Sequence, residues 1–159
     1  WANKVTSAGL FSRFSYAFKQ PEGSAYPPIL ELNHIEGPVK VDGAGGQIEF
    51  TPFEVAHGQI TALGFRIGPV AYLPDVSAMP RAAWEALDGI DCWILDALRR
   101  DPHPSHSHLA QSIEWIDQSN VARAVLTNMH NDLDYATLQV ELPKHILPAF
   151  DGMVLSYDL

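Results

Sequence analysis

The chain reads as an α/β protein, a mixed sheet covered by helices, and three observations carry that reading. The first half is dominated by β-type segments joined by glycine-containing turns, with two hairpin signals in succession. The second half alternates short, continuously apolar runs with helical patterns, as parallel strands buried on both faces do. Apolar residues make up 47% of the 159 positions and charged ones 18%, the balance of a globular chain with a core. The length suits one domain, and residues 1–159 are read as one.

Taken in order, residues 6–18 place Leu10, Phe14 and Phe18 at i, i+4 and i+8, one face of a helix. Tyr26-Pro27-Pro28 ends the following loop. Strand-like segments are expected at 29–35, 38–41 and 47–55, with the GAGG turn at 43–46 making a hairpin. A second hairpin follows: ITALGFRI at 60–67, a Gly68-Pro69 turn, then VAYLPDV at 70–76. Ser77 and Pro80 mark a helix start, and AAWEAL carries that helix to Gly89. DCWILDAL (91–98) and ARAVLTNM (122–129) are buried strands. Between them a helix from Ser107 to Ser119 would bury Leu109, Ile113 and Ile116. The short helix DYATLQVEL follows, then a last strand at 153–157.

The formal charge of −9 argues against a broad surface that tracks the phosphates of long nucleic acid. It leaves room for a small anionic substrate, because bound cations can dominate a local field. No apolar run approaches the ~20 residues of a membrane span. The start has no secretory pattern and Trp1 is no initiator methionine, so a processed or partial polypeptide of cytoplasmic origin is expected. The single cysteine, Cys92, lies in the apolar run CWIL and is expected to be a buried, inert thiol.

Chemistry concentrates where apolar runs stop. FEVA stops at His57, VAYLP at Asp75, CWIL at Asp96, and AVLT at Asn128 with His130 two residues on. The loop DPHPSHSHLAQ adds His103, His106 and His108. Taken singly, each histidine is a hydrogen-bonded surface group and each aspartate a helix cap or turn former. Taken jointly they are the imidazole and carboxylate set that zinc and manganese accept. Asp132 and Asp134 either cap the short helix or touch a ligand, Asp151 either forms a turn or orients a ligand, and His34 and His145 are structural or solvent-facing.

The runs HGQITALGFRIGPVAYLPDVS, LDALRRDPHPSHSHL, LTNMHNDLDYATL and PAFDGM together resemble the C-terminal half of a metallo-β-lactamase-fold hydrolase. The likeness is greatest to the PhnP-like phosphodiesterases that open cyclic ribose phosphates, and it runs from about LFSRFSYAF to the end. It implies an αββα sandwich, here without its N-terminal strands and metal loop. The family's His-x-His-x-Asp-His motif does not occur in residues 1–159. The one H-x-H, His106-Ser107-His108, lacks the following Asp-His and lies downstream of Asp75.

The resemblance further implies two divalent ions, zinc or manganese. His57 would match the histidine ligand after the metal loop, and Asp75 the carboxylate that bridges the ions. The family's late Thr-His-Met is Thr127-Asn128-Met129 here, so either His130 takes that ligand's place or the second ion is held weakly. His106 would match a residue near the substrate phosphate, outside the metal shell, with His108 a second candidate for this catalytic place. The implied activity is metal-dependent hydrolysis of a small cyclic or nucleotide-like phosphate by a metal-activated water. Other hydrolase chemistry on the same fold (thioester or RNA) and a non-catalytic half-domain are the alternatives. The expected partners are a small phosphorylated substrate, no long nucleic acid, no membrane, and a second copy as a homodimer.

Overall fold

The computed structural model describes residues 1–158, which fold as two units, Trp1–Val39 and the chain from Lys40 onward. In the first unit, helix α1 (Lys4–Phe18) starts at Asn3, whose side chain accepts a hydrogen bond from the Thr6 N–H at 2.9 Å. The face of Leu10, Phe14 and Phe18 is not continuous. Phe14 leaves helical geometry at φ −133°, its ring is exposed, and Ser7 and Ala17 are the buried positions. The strand expected at 29–35 does not form. The Ile29 and Leu30 N–H groups both donate to the Ala17 carbonyl, so they are spent on the helix instead of a ladder. A lone bridge between Ala2 and His34 is all the strand pairing there.

The second unit, together with Val39 at the start of its first strand, is built on one sheet. Its strands are β1 (Val39–Gly43), β2 (Gly46–His57), β3 (Ile60–Ile67), β4 (Val70–Leu73), β5 (Cys92–Asp96), β6 (Arg123–Thr127) and β7 (Ile146–Pro148). They lie side by side in chain order. The pairs β2–β3 and β3–β4 are antiparallel, and β4–β5, β5–β6 and β6–β7 are parallel. The parallel pairs need crossovers. Helices α2 (Arg81–Ala86), α3 (Leu109–Ser119) and α4 (Tyr135–Glu141) supply them.

Alternation along the strands sets the layers. Phe53 and Val55 of β2, Ala71 and Leu73 of β4, Trp93 and Leu95 of β5, and Ala124 and Leu126 of β6 share one cluster with Ala83, Leu109, Ile116 and Leu138. The helices therefore cover the sheet face that these residues line. Cys92 is fully buried, as expected. No helix among the described residues is long and apolar enough to cross a membrane.

The strand expected at 153–157 is absent, and Ile146–Pro148 takes the edge beside β6 instead. The Ala124 N–H donates to the His145 carbonyl and the Ala149 N–H to the Leu126 carbonyl. The chain then turns at Asp151-Gly152, where Gly152 has φ +87°. A three-residue strand ending in proline is tolerated at an edge, where one side of the ladder is open.

Gly64 is required by packing. It faces Phe53 across the β2–β3 ladder, and a Cβ there would lie 2.4 Å from the Phe53 ring. Gly64→Ala is expected to destabilise the fold by about 1–3 kcal/mol, the usual cost of overpacking. Urea unfolding checks this, with a midpoint equal to that of the parent chain as the contrary result.

Candidate metal centre

Because β2 is antiparallel to β3 and β3 to β4, β2 runs in the same direction as β4, β5 and β6. The C-terminal ends of all four therefore lie along one edge of the sheet. His57 ends β2, Asp75 follows β4, Asp96 ends β5, and Asn128 follows β6. That is where an open α/β sheet gathers a site.

Local hydrogen bonds bring the loops together there. The Ser77 N–H donates to the Ala56 carbonyl at 2.8 Å, and the Ala56 N–H to the Ala78 carbonyl at 3.1 Å, so the segment after β4 is tied to the end of β2. The Ser77 hydroxyl accepts from the Gly58 N–H at 2.9 Å. Gly58 has φ +61°, and a Cβ on it would meet Ser105 at 3.0 Å, so glycine is what lets the His57 turn and the 97–108 loop approach. That loop is closed on itself by bonds from the Leu98 N–H to the Ser107 carbonyl (3.0 Å) and from the Leu109 N–H to the Arg99 carbonyl (2.8 Å). The Ser107 and Ser112 hydroxyls both donate to the Asp96 carbonyl, at 2.8 and 2.7 Å.

The result is a group of three donors. His57, Asp75 and His106 each offer one ligand atom, and these atoms lie within 4.8 Å of one another. The His57 and His106 rings meet edge to face at 4.6 Å. His57 donates from Nδ1 to the Ser105 carbonyl at 2.6 Å. His106 donates from Nδ1 to Asp96 Oδ2 at 2.7 Å, and the same nitrogen is 3.9 Å from Asp75 Oδ1. In both rings an oxygen acceptor therefore holds the proton on Nδ1 and leaves the lone pair on Nε2.

Asp96 supports this group from beneath. Its side chain is fully buried, Oδ2 also accepts from the Val76 N–H at 3.2 Å, and Oδ1 has no hydrogen-bond partner. Burial pushes its carboxyl up to about 6, against the lowering pull of the bonds from His106 and Val76. His103 lies beside His106 with ring centroids 5.3 Å apart. Partial desolvation, then the Arg99 guanidinium, hold its imidazole below the ordinary value.

The structure separates the residues singled out in the sequence. His57 and Asp75 come together, and His106, which the resemblance set outside the metal shell, lies among their donor atoms. His108 does not join them: it is the N-cap of α3, and its Nδ1 accepts from the Gln111 N–H at 3.4 Å. His130 lies outside the group as well. Its Nδ1 bonds Asp132 Oδ1 at 3.1 Å and its side chain is 60% exposed. The reason lies at the end of β6, where Asn128 turns the chain at φ +58° and gives its own amide to the Pro74 carbonyl at 2.5 Å. Asp134 caps α4 through the Thr137 N–H, and Asp151 is exposed in a turn. The contribution of Asp96 was signalled only as an acid ending an apolar strand, and that of Ser105 not at all, since it acts through its peptide group.

Strand order, sheet direction and this donor group define a metallo-β-lactamase fold. The chain belongs to the β-lactamase superfamily: the family model described as the beta-lactamase superfamily domain matches residues 1–129. Among solved structures, a diphosphatase of the PhnP family aligns over 99% of this chain and 58% of its own, at 31% identity and TM-score 0.85. The metallo-β-lactamase-fold protein YhfI from Bacillus subtilis aligns over 90% of this chain and 61% of its own, at 14% identity and TM-score 0.61, a likeness of fold. A curated octanoyltransferase from Porphyromonas gingivalis is 30% identical over 146 residues, 89% of this chain and 28% of that protein. The chain thus spans less than two thirds of the length of each of these relatives.

His57→Ala is expected to lower zinc affinity at least tenfold, and His130→Ala to leave it unchanged, in equilibrium dialysis with metal analysis. Equal loss in both variants would place His130 in the ion's surroundings.

Proposed function

We propose that the protein carrying this chain is a metal-dependent hydrolase of small phosphodiesters or diphosphates. The observation that carries the reading is the meeting of His57, Asp75 and His106 donor atoms within 4.8 Å at the strand ends. The residues fit a divalent ion on chemical grounds. Imidazole nitrogen and carboxylate oxygen suit zinc or manganese. The unpartnered, buried Asp96 Oδ1 leaves a negative charge that a nearby cation offsets through His106. Of these, His57 and Asp75 would make only part of a two-ion set, with His106 beside them; the resemblance puts the remainder in the His-x-His-x-Asp-His segment, which residues 1–159 do not contain, and in the late Thr-His-Met, which is Thr127-Asn128-Met129 here. The likeness to the PhnP-family diphosphatase supports phosphate as the group attacked.

Bound divalent ions supply an activated water and neutralise charge growing on phosphoryl oxygens. The chain's own side chains divide the rest. His57, whose Nδ1 donates to the Ser105 carbonyl, would offer its Nε2 lone pair to an ion. His106, whose Nδ1 donates to Asp96 Oδ2, keeps Nε2 free to take the proton that the attacking water loses. That proton goes to the leaving oxygen.

Chelation is expected to abolish hydrolysis of bis(p-nitrophenyl) phosphate, and added zinc or manganese to restore it. A substrate panel with cyclic nucleotides, a nucleoside diphosphate and an acyl thioester decides the class. Turnover of the thioester alone would overturn phosphate as the target and favour acyl chemistry. His106→Ala is expected to reduce kcat by about 10²–10⁴-fold with metal content unchanged. Metal loss in that variant would assign His106 to the ions instead.

A further inference from the structure

The histidine loop contains a sorting device. Ser105 contacts two imidazoles with the two ends of its own backbone. Its carbonyl accepts from His57 Nδ1 at 2.6 Å, whereas its N–H donates to His103 Nδ1 at 3.3 Å, and its hydroxyl lies 3.3 Å from the same nitrogen. The consequences are opposite. A ring whose Nδ1 donates keeps its lone pair on Nε2; a ring whose Nδ1 accepts must carry its proton on Nε2. His103 therefore presents an N–H where His57 and His106 present a lone pair. An Nε2 that holds a proton cannot ligate an ion, but it can donate to an anionic oxygen.

We infer that His103 is a substrate-binding residue, whose Nε2–H donates to a non-bridging oxygen of the phosphoryl group held beside His57, Asp75 and His106. This rests on the hydrolase reading above and adds the residue that recognises the anion. The placement agrees: the His103 ring lies 5.3 Å from that of His106, on the same loop, and is only partly buried. Arg99 does not compete for the place, since its Nε and Nη2 donate to the Asp101 and Pro102 carbonyls at 3.1 and 2.6 Å. Those bonds also brace the loop that carries His103. The histidine cluster thus assigns one ring to the ion, one to the proton and one to the substrate's charge.

The test uses the full-length protein. Long-range ¹H–¹⁵N spectra of histidine-labelled wild type should show His103 as the Nε2–H tautomer and His57 as the Nδ1–H tautomer. Titration calorimetry with inorganic phosphate on the metal-loaded protein should show at least about tenfold weaker binding in His103→Ala, the loss of a charge-assisted hydrogen bond. His103→Gln keeps an N–H donor near the Nε2 position and should recover most of that loss, with metal content unchanged in both. An Nδ1–H tautomer at His103, equal phosphate affinity in wild type and His103→Ala, no measurable phosphate binding by the wild type, or metal loss in the variants would each overturn the inference. Phosphate binding that depends on His103, without turnover of any phosphodiester or diphosphate, would instead sink the hydrolase reading and leave the anion contact standing.

Discussion

The site depends on one buried carboxylate. Asp96 is the only charged residue among the described ones to be fully enclosed. Enclosure of a charge is costly unless its oxygens are satisfied. One oxygen is satisfied twice, by the Val76 N–H from the loop after β4 and by His106 from the loop after β5. The backbone carbonyl of the same residue takes two serine hydroxyls, one from that loop and one from α3. Four segments are therefore fixed relative to one another through a single residue at the end of a central strand. The other oxygen is unpartnered, which raises the energy of the ionised form and makes a positive neighbour welcome.

The second constraint is direction. Two tight antiparallel connections return β2 to the sense of β4, and three crossovers keep β5, β6 and β7 in that sense. A histidine separated by 18 positions from Asp75 and by 39 from Asp96 in the sequence thus ends up beside Asp75 and beside the His106 ring that bonds Asp96. The side chains that do chemistry are held by loops tied to one another and to the strand ends, as by the Ser77 N–H to the Ala56 carbonyl and the Leu98 N–H to the Ser107 carbonyl. Little rearrangement is then needed when charge arrives, which is the basis of electrostatic preorganisation.

Much of this was legible in the sequence, and the failures are instructive. The buried strands around CWIL and AVLT stood out because a continuous apolar run with polar ends has few other readings. Their terminal acids and the histidines nearby gave the edge of the sheet its chemistry. The segments 29–35 and 153–157 misled because β-rich composition is only half of a strand; the other half is a free edge to pair with, which sequence does not display. Ile146–Pro148 won the edge of β6 with three residues and a proline. His130 lies outside the donor group for a related reason. Spacing placed it two residues past a strand end, but the left-handed turn at Asn128 and the pull of Asp132 decide where such a ring goes. His57 and His103 carry the same letter in the sequence and are opposite in the structure, since the carbonyl or the N–H of the Ser105 peptide sets the tautomer and neither has a letter.

The sequential strand order has a kinetic consequence. Every strand of the sheet pairs with the strand before it in the chain, so no pairing must wait for a distant segment to arrive. Loop closure is then a series of modest steps, the condition under which a sheet assembles without long searches. The hairpins β2–β3 and β3–β4 can form first and offer a template edge to which each crossover adds one more strand. On that route the site is among the last things made: His57 is in place early, and it acquires its neighbours only as β5 and its histidine loop dock.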